Sequence, residues 1–251
     1  MAESEDFQIE RIVLPSDAHG DGDPLLRFVQ LSDLHTRGWE PRHDRLVDAV
    51  NECNPDFVFL TGDLISRRPG TWETLRTLLA RVKARFGVFA CRGNWEVRFA
   101  PRPAVLRERL AAWGAELLVN ESRTVETDAG TVRIAGLDDP GRGWPSFDEA
   151  LAAPPADYNI LLAHAPLAAR FLSQKDRVDL VLSGHTHGGQ VRVPLLWRLV
   201  LPGCCGGFLD GLYPMEWGHV YVSRGFGGVG PGPVRFRCPA EVAVFEIKSS
   251  D

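Results

Sequence analysis

Five short segments of this chain carry residue types that bind divalent metals. They are Ser32-Asp33-Leu34-His35, Thr61-Gly62-Asp63, Arg92-Gly93-Asn94-Trp95-Glu96, Ala163-His164-Ala165-Pro166 and Gly184-His185-Thr186-His187-Gly188-Gly189. Carboxylate and amide oxygens mixed with imidazole nitrogens suit Mn, Fe, Zn or Ni, whereas all-oxygen cages suit Ca or Mg. Asp33 and His35 are two apart, as are His185 and His187, so on extended backbone each pair would point its side chains the same way. A carboxylate such as Asp63 can bridge two ions about 4 Å apart. Taken alone, an Asp-x-His is common, and a single His such as His164 is more often a hydrogen-bonded structural residue. The weight comes from all five in one chain, each following an apolar run.

Those runs predict the elements that position the segments. Leu26–Leu31, Phe57–Thr61, Gly87–Cys91, Asn159–Ala163 and Leu180–Ser183 read as strands, and Phe57-Val-Phe-Leu-Thr61 has the unbroken apolar character of a strand buried on both faces. Between them, 42–52, 72–83 and 103–113 show helical spacing, the last closed by Gly114 as a left-handed cap. A hairpin is predicted from 123–127 and 131–137, and Ser146 with Glu149 makes a capping box. Further strands are expected at 190–193, 220–223, 234–237 and 242–247. Strands alternating with helices indicate an α/β layered domain, and ligands in such sheets gather at the carboxyl ends of the strands. Residues 1–24 read as an N-terminal extension with a possible added strand at 7–14, and 25–251 as one domain of two abutting sheets.

Composition narrows the function classes. The 251 residues carry 28 Lys+Arg against 33 Asp+Glu, a net charge of −5, which disfavours broad nucleic-acid binding through many phosphate contacts. No segment approaches the roughly 18 uncharged apolar residues of a spanning helix, and the acidic start is unlike a secretory signal. Five cysteines without a Cys-x-x-Cys pair suit reduced thiols, so a cytoplasmic setting is expected. Gly225-Phe-Gly227-Gly-Val-Gly230 is followed by Pro231 rather than a helix, so it reads as a glycine-rich turn near the site and not a dinucleotide fingerprint. His19, His43 and His219 lack motif context and are read as surface or structural residues.

The order Asp-x-His, Gly-Asp, Gly-Asn, lone His, Gly-His-x-His resembles the calcineurin-like metallophosphoesterase superfamily from about Leu25 to Ile247. Leu31-Ser-Asp-Leu-His35, Pro55-Asp-Phe-Val-Phe-Leu-Thr-Gly-Asp63, Ile134-Ala-Gly-Leu-Asp-Asp-Pro140, Ser183-Gly-His-Thr-His-Gly-Gly-Gln190 and Tyr221-Val-Ser-Arg-Gly225 are similar to the bacterial YkuE/YaeI-type branch. That branch includes phosphodiesterases and hydrolases of UDP-2,3-diacylglucosamine. The resemblance implies a four-layer α/β/β/α sandwich of two mixed sheets and two divalent metal ions, Mn favoured. It assigns Asp33, His35 and His187 to one ion and Asn94, His164 and His185 to the other, with Asp63 bridging; Asp63, Asn94 and His185 then count as catalytic. A hydroxide bridging the ions would attack phosphorus in line.

One position departs from the family. Where its members usually carry His after the Asn, this chain has Trp95. An indole donates a hydrogen bond but delivers no proton, so general-acid assistance of roughly 10²–10⁴-fold is removed. Pyrophosphates, whose leaving group departs as a stable phosphate, tolerate that loss better than alkyl diesters. Trp95 is then expected to pack over the substrate while Arg92 or Arg98 supplies charge. The favoured substrate is a UDP-2,3-diacylglucosamine-like lipid. The alternatives are a metal-binding scaffold of weak activity and a nucleotide or cyclic-nucleotide phosphodiesterase. The apolar stretch 193–212, flanked by Arg192 and Arg198, is read either as core or as a patch touching acyl chains or the inner face of a membrane.

Overall fold

Alternation along the central strands sorts their side chains onto two faces, and both faces are buried. In β3 (Phe57–Thr61), Phe57 and Phe59 join one apolar cluster while Val58 and Leu60 join another. β2 (Leu26–Leu31) divides likewise, Phe28 to one side and Val29 and Leu31 to the other. A strand with two buried faces needs a cover on each, and this sets the layering. The structure is a computed structural model describing residues 7–16, 25–100, 102–192, 201–230 and 234–249.

The remaining strands are β1 (Gln8–Ser16), β4 (Gly87–Cys91), β5 (Ala115–Leu117), β6 (Glu121–Thr127), β7 (Gly130–Gly136), β8 (Tyr158–Leu162), β9 (Leu180–Ser183), β10 (Gly211–Met215), β11 (Gly218–Val222) and β12 (Glu241–Ser249). The helices are α1 (Pro41–Glu52), α2 (Thr71–Arg81), α3 (Asn94–Phe99), α4 (Pro103–Ala112) and α5 (Phe147–Ala150). One sheet runs β1-β12-β2-β3-β4-β5 and the other β10-β11-β9-β8-β7-β6. Antiparallel pairs β12–β2, β10–β11 and β6–β7 make both sheets mixed. Phe28, Phe57, Phe59 and Phe245 of the first sheet meet Ile134, Ile160, Leu162 and Leu182 of the second between the sheets. Leu46, Val50, Leu75, Leu78, Leu106 and Leu110 of α1, α2 and α4 cover the first sheet's outer face. The second sheet's outer face is covered more thinly, by α5 and a 3₁₀ helix, Pro166–Phe171. This is the four-layer α/β/β/α arrangement.

The catalytic-type segments follow the carboxyl ends of β2, β3 and β4 in one sheet and of β8 and β9 in the other. Those strands are parallel within their sheets, so all five segments emerge at one end of the molecule. Gln30, fully buried, ties the sheets together there by donating to Thr61 Oγ1 and to the Ser183 carbonyl.

Several local expectations differ from the structure. Among the described residues, the strands expected at 190–193 and 234–237 reduce to one isolated parallel bridge, Val191 to Phe236. Left-handed residues at Gln190 and Arg237 interrupt the extended backbone on either side. Residues 193–200 of the apolar stretch, and His19, lie outside the described residues. Within 201–212, Phe208 is buried while Leu212 is 38% exposed. Short β5, α3 and β10 carried too few periodic residues to stand out. Gly114 does follow α4 in the left-handed region, at φ 89°. His43 is structural, its Nδ1 accepting from the Glu40 N–H at the start of α1. Among the described residues no helix is long and apolar enough to cross a membrane, and all five cysteines are unpaired.

Candidate metal centre

Asp33 and His35 converge by a different route from the one their spacing suggests. They lie beyond β2, and both occupy the left-handed region, at φ 51° and 41°. Asp63, His185 and His187 do the same, at 53°, 71° and 50°. Each such non-glycine residue costs on the order of 1–3 kcal/mol and persists only where its surroundings over-determine it. Here the loops lock one another: Asp33 N–H donates to Gly62 O (3.0 Å), His35 N–H to Asp63 O (2.9 Å), and Gly184 N–H to His164 O (2.9 Å). The His185 N–H donates to Asp33 Oδ2 at 3.0 Å, joining the two sheets' loops. Gly62 is required twice over, by φ 83° and because a Cβ there would meet Gly93 N at 2.6 Å.

The seven predicted ligands form one continuous cluster. His35 Nε2 lies 3.2 Å from His187 Nε2 and 3.6 Å from Asp63 Oδ2, and His187 Nε2 is 3.3 Å from Asp33 Oδ1. On the other side, Asn94 Oδ1 is 3.2 Å from His164 Nε2 and 3.0 Å from His185 Nδ1. Asp63 Oδ2 lies between the halves, 3.4 Å from His164 Nε2. Donor atoms of Asp33, His35 and His187 all fall within 4.8 Å of one another, as do those of Asp33, Asp63 and His164. Asp33 therefore reaches toward both halves as well as Asp63.

The chemistry of this donor set fits divalent cations. The far ring nitrogens are taken up by carbonyls: His35 Nδ1 by Ile65 O (3.3 Å), His164 Nδ1 by Thr61 O (2.8 Å), and His185 Nε2 by Gly203 O (2.7 Å). Such bonds fix the tautomer and leave the other nitrogen's lone pair facing inward. Burial lowers His35, His185 and, to about 3, His187, so these rings are neutral at ordinary pH. His187 Nδ1 is buried without a hydrogen-bond partner. Burial would raise Asp33, but His187 and His164 hold it below its ordinary value. Asp63 is also held down, by His164 and His35 against its burial. Burial opposes the charged form of His164, yet Asp63 raises it well above the usual histidine range. Buried carboxylates, an amide oxygen and imidazole lone pairs thus face one another, an arrangement that positive charge at the centre reconciles.

Glu96 carries a role that spacing did not reveal. Its carboxylate accepts four backbone N–H groups: Oε2 from Asp63 (2.7 Å) and Gly93 (2.8 Å), Oε1 from Leu64 (2.8 Å) and Ile65 (3.1 Å). It thereby clamps the loop bearing Asp63 to the start of α3, which bears Asn94. Burial and the neighbouring Asp63 push its carboxyl up to about 7, against the pull of those N–H donors. The available signal was its place three residues after Gly93, the capping position of a helix start.

The predicted substrate contacts are placed as follows. Trp95 stands edge-on to His35 with ring centroids 4.9 Å apart, and its backbone N–H donates to Asp63 Oδ1. With Asp63, Asn94, His185, His187 and Val191 it lines a cleft of about 450 Å³. Arg92 is buried in a bidentate pair with Asp138, at 3.0 and 2.6 Å, and does not line that cleft. Arg98 is exposed, its guanidinium 4.9 Å from the Phe99 ring centroid. The glycine-rich turn lies against the site: Phe226 and Gly227 N–H groups donate to the carbonyls of Ser32 and Asp33. Half-buried Arg235 secures it by donating to the carbonyls of Arg224, Gly225 and Gly227.

Two mixed sheets bring seven oxygen- and imidazole-bearing side chains together at their carboxyl ends, a candidate metal centre. Residues 26–189 match the family described as Calcineurin-like phosphoesterase, and the chain belongs to it. It is 32% identical to the metallophosphoesterase YkuE of Bacillus subtilis, covering 100% of this chain and 87% of that protein. It is 27% identical to the phosphodiesterase YaeI of Escherichia coli, covering 88% of this chain and 82% of that one. A crystal structure of a dimetal phosphatase from Danio rerio superposes with a TM-score of 0.50 at 13% identity, covering 81% of this chain and 88% of that one, a likeness of fold.

Proposed function

We propose that this chain hydrolyses a phosphodiester or pyrophosphate at a two-metal centre, with Asp33, His35 and His187 holding one ion, Asn94, His164 and His185 the other, and Asp63 between them. The mixed oxygen and imidazole set suits Mn, Fe, Zn or Ni, and the family resemblance favours manganese. The observation that carries the reading is the convergence of all seven side chains from five strand ends. Two bound ions would neutralise phosphoryl oxygens and supply the nucleophile by acidifying water. The chain's own residues set the rest. Glu96 holds the Asp63 and Asn94 loops in register, and Trp95 packs edge-on against His35 at the wall of the cleft.

With no acid at position 95, leaving groups that depart as stable anions are favoured. Pyrophosphates therefore come before unactivated alkyl diesters. Trp95, Val191, Pro202 and Val229 give the cleft apolar walls beside His185 and His187. Those walls support an amphiphilic substrate of the UDP-2,3-diacylglucosamine kind, met in the cytoplasm with 201–212 near a lipid surface. The test is metal analysis with turnover. Two ions per chain and Asp63-dependent release of phosphate or UMP support the reading, whereas full occupancy without turnover of any ester supports a scaffold. Equal rates on acylated and deacylated UDP-sugars would remove the lipid part of the reading.

A further inference from the structure

α3 contributes its first two residues, Asn94 and Trp95, to the lining of the cleft, and Arg98 and Phe99 lie one turn further along it. Asn94 and Arg98 are four residues apart on it, as are Trp95 and Phe99, so each pair lies one turn apart on the same side. The rings of Trp95 and Phe99 are 5.1 Å apart between centroids, extending the aromatic wall that begins at His35. Two cations sit on Phe99. The Arg98 guanidinium carbon is 4.9 Å from the ring centroid and that of Arg67 is 5.1 Å. Arg67 comes from the loop that carries Asp63, four residues further on. Both arginines are exposed, and neither forms an ion pair with any described residue. Two guanidiniums sharing one ring repel each other, and an anion placed between them turns that repulsion into a pair of charge-assisted hydrogen bonds.

We propose that Arg67 and Arg98 form a subsite for a second phosphate of the substrate, roughly 6 Å along α3 from Asn94 by the helical rise over four residues. This rests on the hydrolase reading above and adds to it the substrate class: phosphoesters that carry another phosphate a few bonds beyond the one hydrolysed. Phe99 is the floor that holds the guanidiniums apart from the ligand cluster. Because the contact lies away from the reacting phosphorus, it acts on binding and appears in KM more than in kcat.

The test is calorimetric binding to the full chain loaded with Mn²⁺, comparing adenosine 3′,5′-bisphosphate with adenosine 5′-monophosphate. Wild type is expected to favour the bisphosphate by at least about tenfold, one pair of charge-assisted bonds. Arg67→Ala/Arg98→Ala is expected to bring the two ligands within about twofold, and Arg67→Lys/Arg98→Lys to retain an intermediate preference. Vesicles of phosphatidylcholine with phosphatidylinositol 4-phosphate, against phosphatidylinositol, separate a lipid-borne second phosphate from a soluble one. Absence of preference in both arms, or a preference that survives the alanine pair, overturns the subsite. Hydrolysis of bis(p-nitrophenyl) phosphate is read on the same preparation. Preference without hydrolysis keeps the subsite and removes the hydrolase reading, and hydrolysis without preference does the reverse.

Discussion

Replacing Glu96 by Gln tests whether one buried carboxylate organises the two loops of the metal centre. In the native protein each carboxylate oxygen accepts two backbone N–H groups, those of Asp63 and Gly93 on Oε2 and of Leu64 and Ile65 on Oε1. The amide of Gln offers one acceptor oxygen and turns an NH₂ toward two N–H groups that then have none. Hydrogen bonds to charged groups contribute about 1.5–3 kcal/mol each, so two lost bonds amount to roughly 3–6 kcal/mol. Relief from burying a charge offsets part of this, leaving an expected net loss of about 2 kcal/mol at pH 8. The loss should grow below pH 7. There the native Glu96, with its carboxyl pushed up to about 7, takes up a proton that the unfolded chain does not, which stabilises the native protein, while the Gln variant has no such titration. Urea unfolding of metal-free protein at pH 8 and pH 6 measures the first effect. Mn²⁺ titration measures the second, an affinity weakened by about tenfold or more as the Asp63 and Asn94 loops separate. A variant within about 0.5 kcal/mol of wild type at pH 8, with the same metal affinity, refutes the clamp.

Other consequences are open to direct measurement. Asp63→Asn is expected to leave at most one tightly bound ion and to lower phosphodiester turnover by roughly 10³-fold, several kcal/mol of transition-state stabilisation, read by metal analysis and initial rates. Trp95→His is expected to speed hydrolysis of diesters with poor leaving groups by roughly 10²-fold while changing pyrophosphate hydrolysis less; equal gains on both would undo the leaving-group argument. Arg92→Ala strands Asp138 as a buried charge. About 3–5 kcal/mol of stability should disappear with it, as a lowered denaturation midpoint; a change of under 1 kcal/mol would show that the pair is not a structural tie.

The cluster of candidate ligands was legible because metal chemistry restricts residue types more tightly than folding does. Asp33, His35, Asp63, Asn94, His164, His185 and His187 stand just after apolar runs, and the strands they follow could be read from those runs. The reason two residues such as Asp33 and His35 face one point was not legible. Alternation on a strand suggested it, but left-handed backbone locked by Gly62 and Asp63 carbonyls produces it. Arg92 illustrates the opposite limit. Its place in the Gly-Asn motif suggested a substrate contact, yet Asp138, 46 positions away, holds it in the interior. Strands at 190–193 and 234–237 were expected from β-rich composition, which is indifferent to the left-handed residues that interrupt them.

Local chemistry thus points to which atoms could bind metal, which strands are buried on both faces, and that an α/β architecture delivers them. These depend on side-chain type and short-range periodicity, which the order of residues contains directly. The long-range pairings are another matter: that Glu96 serves four N–H groups, that Gln30 spans the sheets, and that Arg67 and Arg98 share Phe99 without a counter-charge. Each depends on loops from separate strands meeting at one end of the two sheets. That meeting follows from the packing of Phe28, Phe57, Phe59 and Phe245 against the opposite sheet, a collective outcome that no single segment encodes.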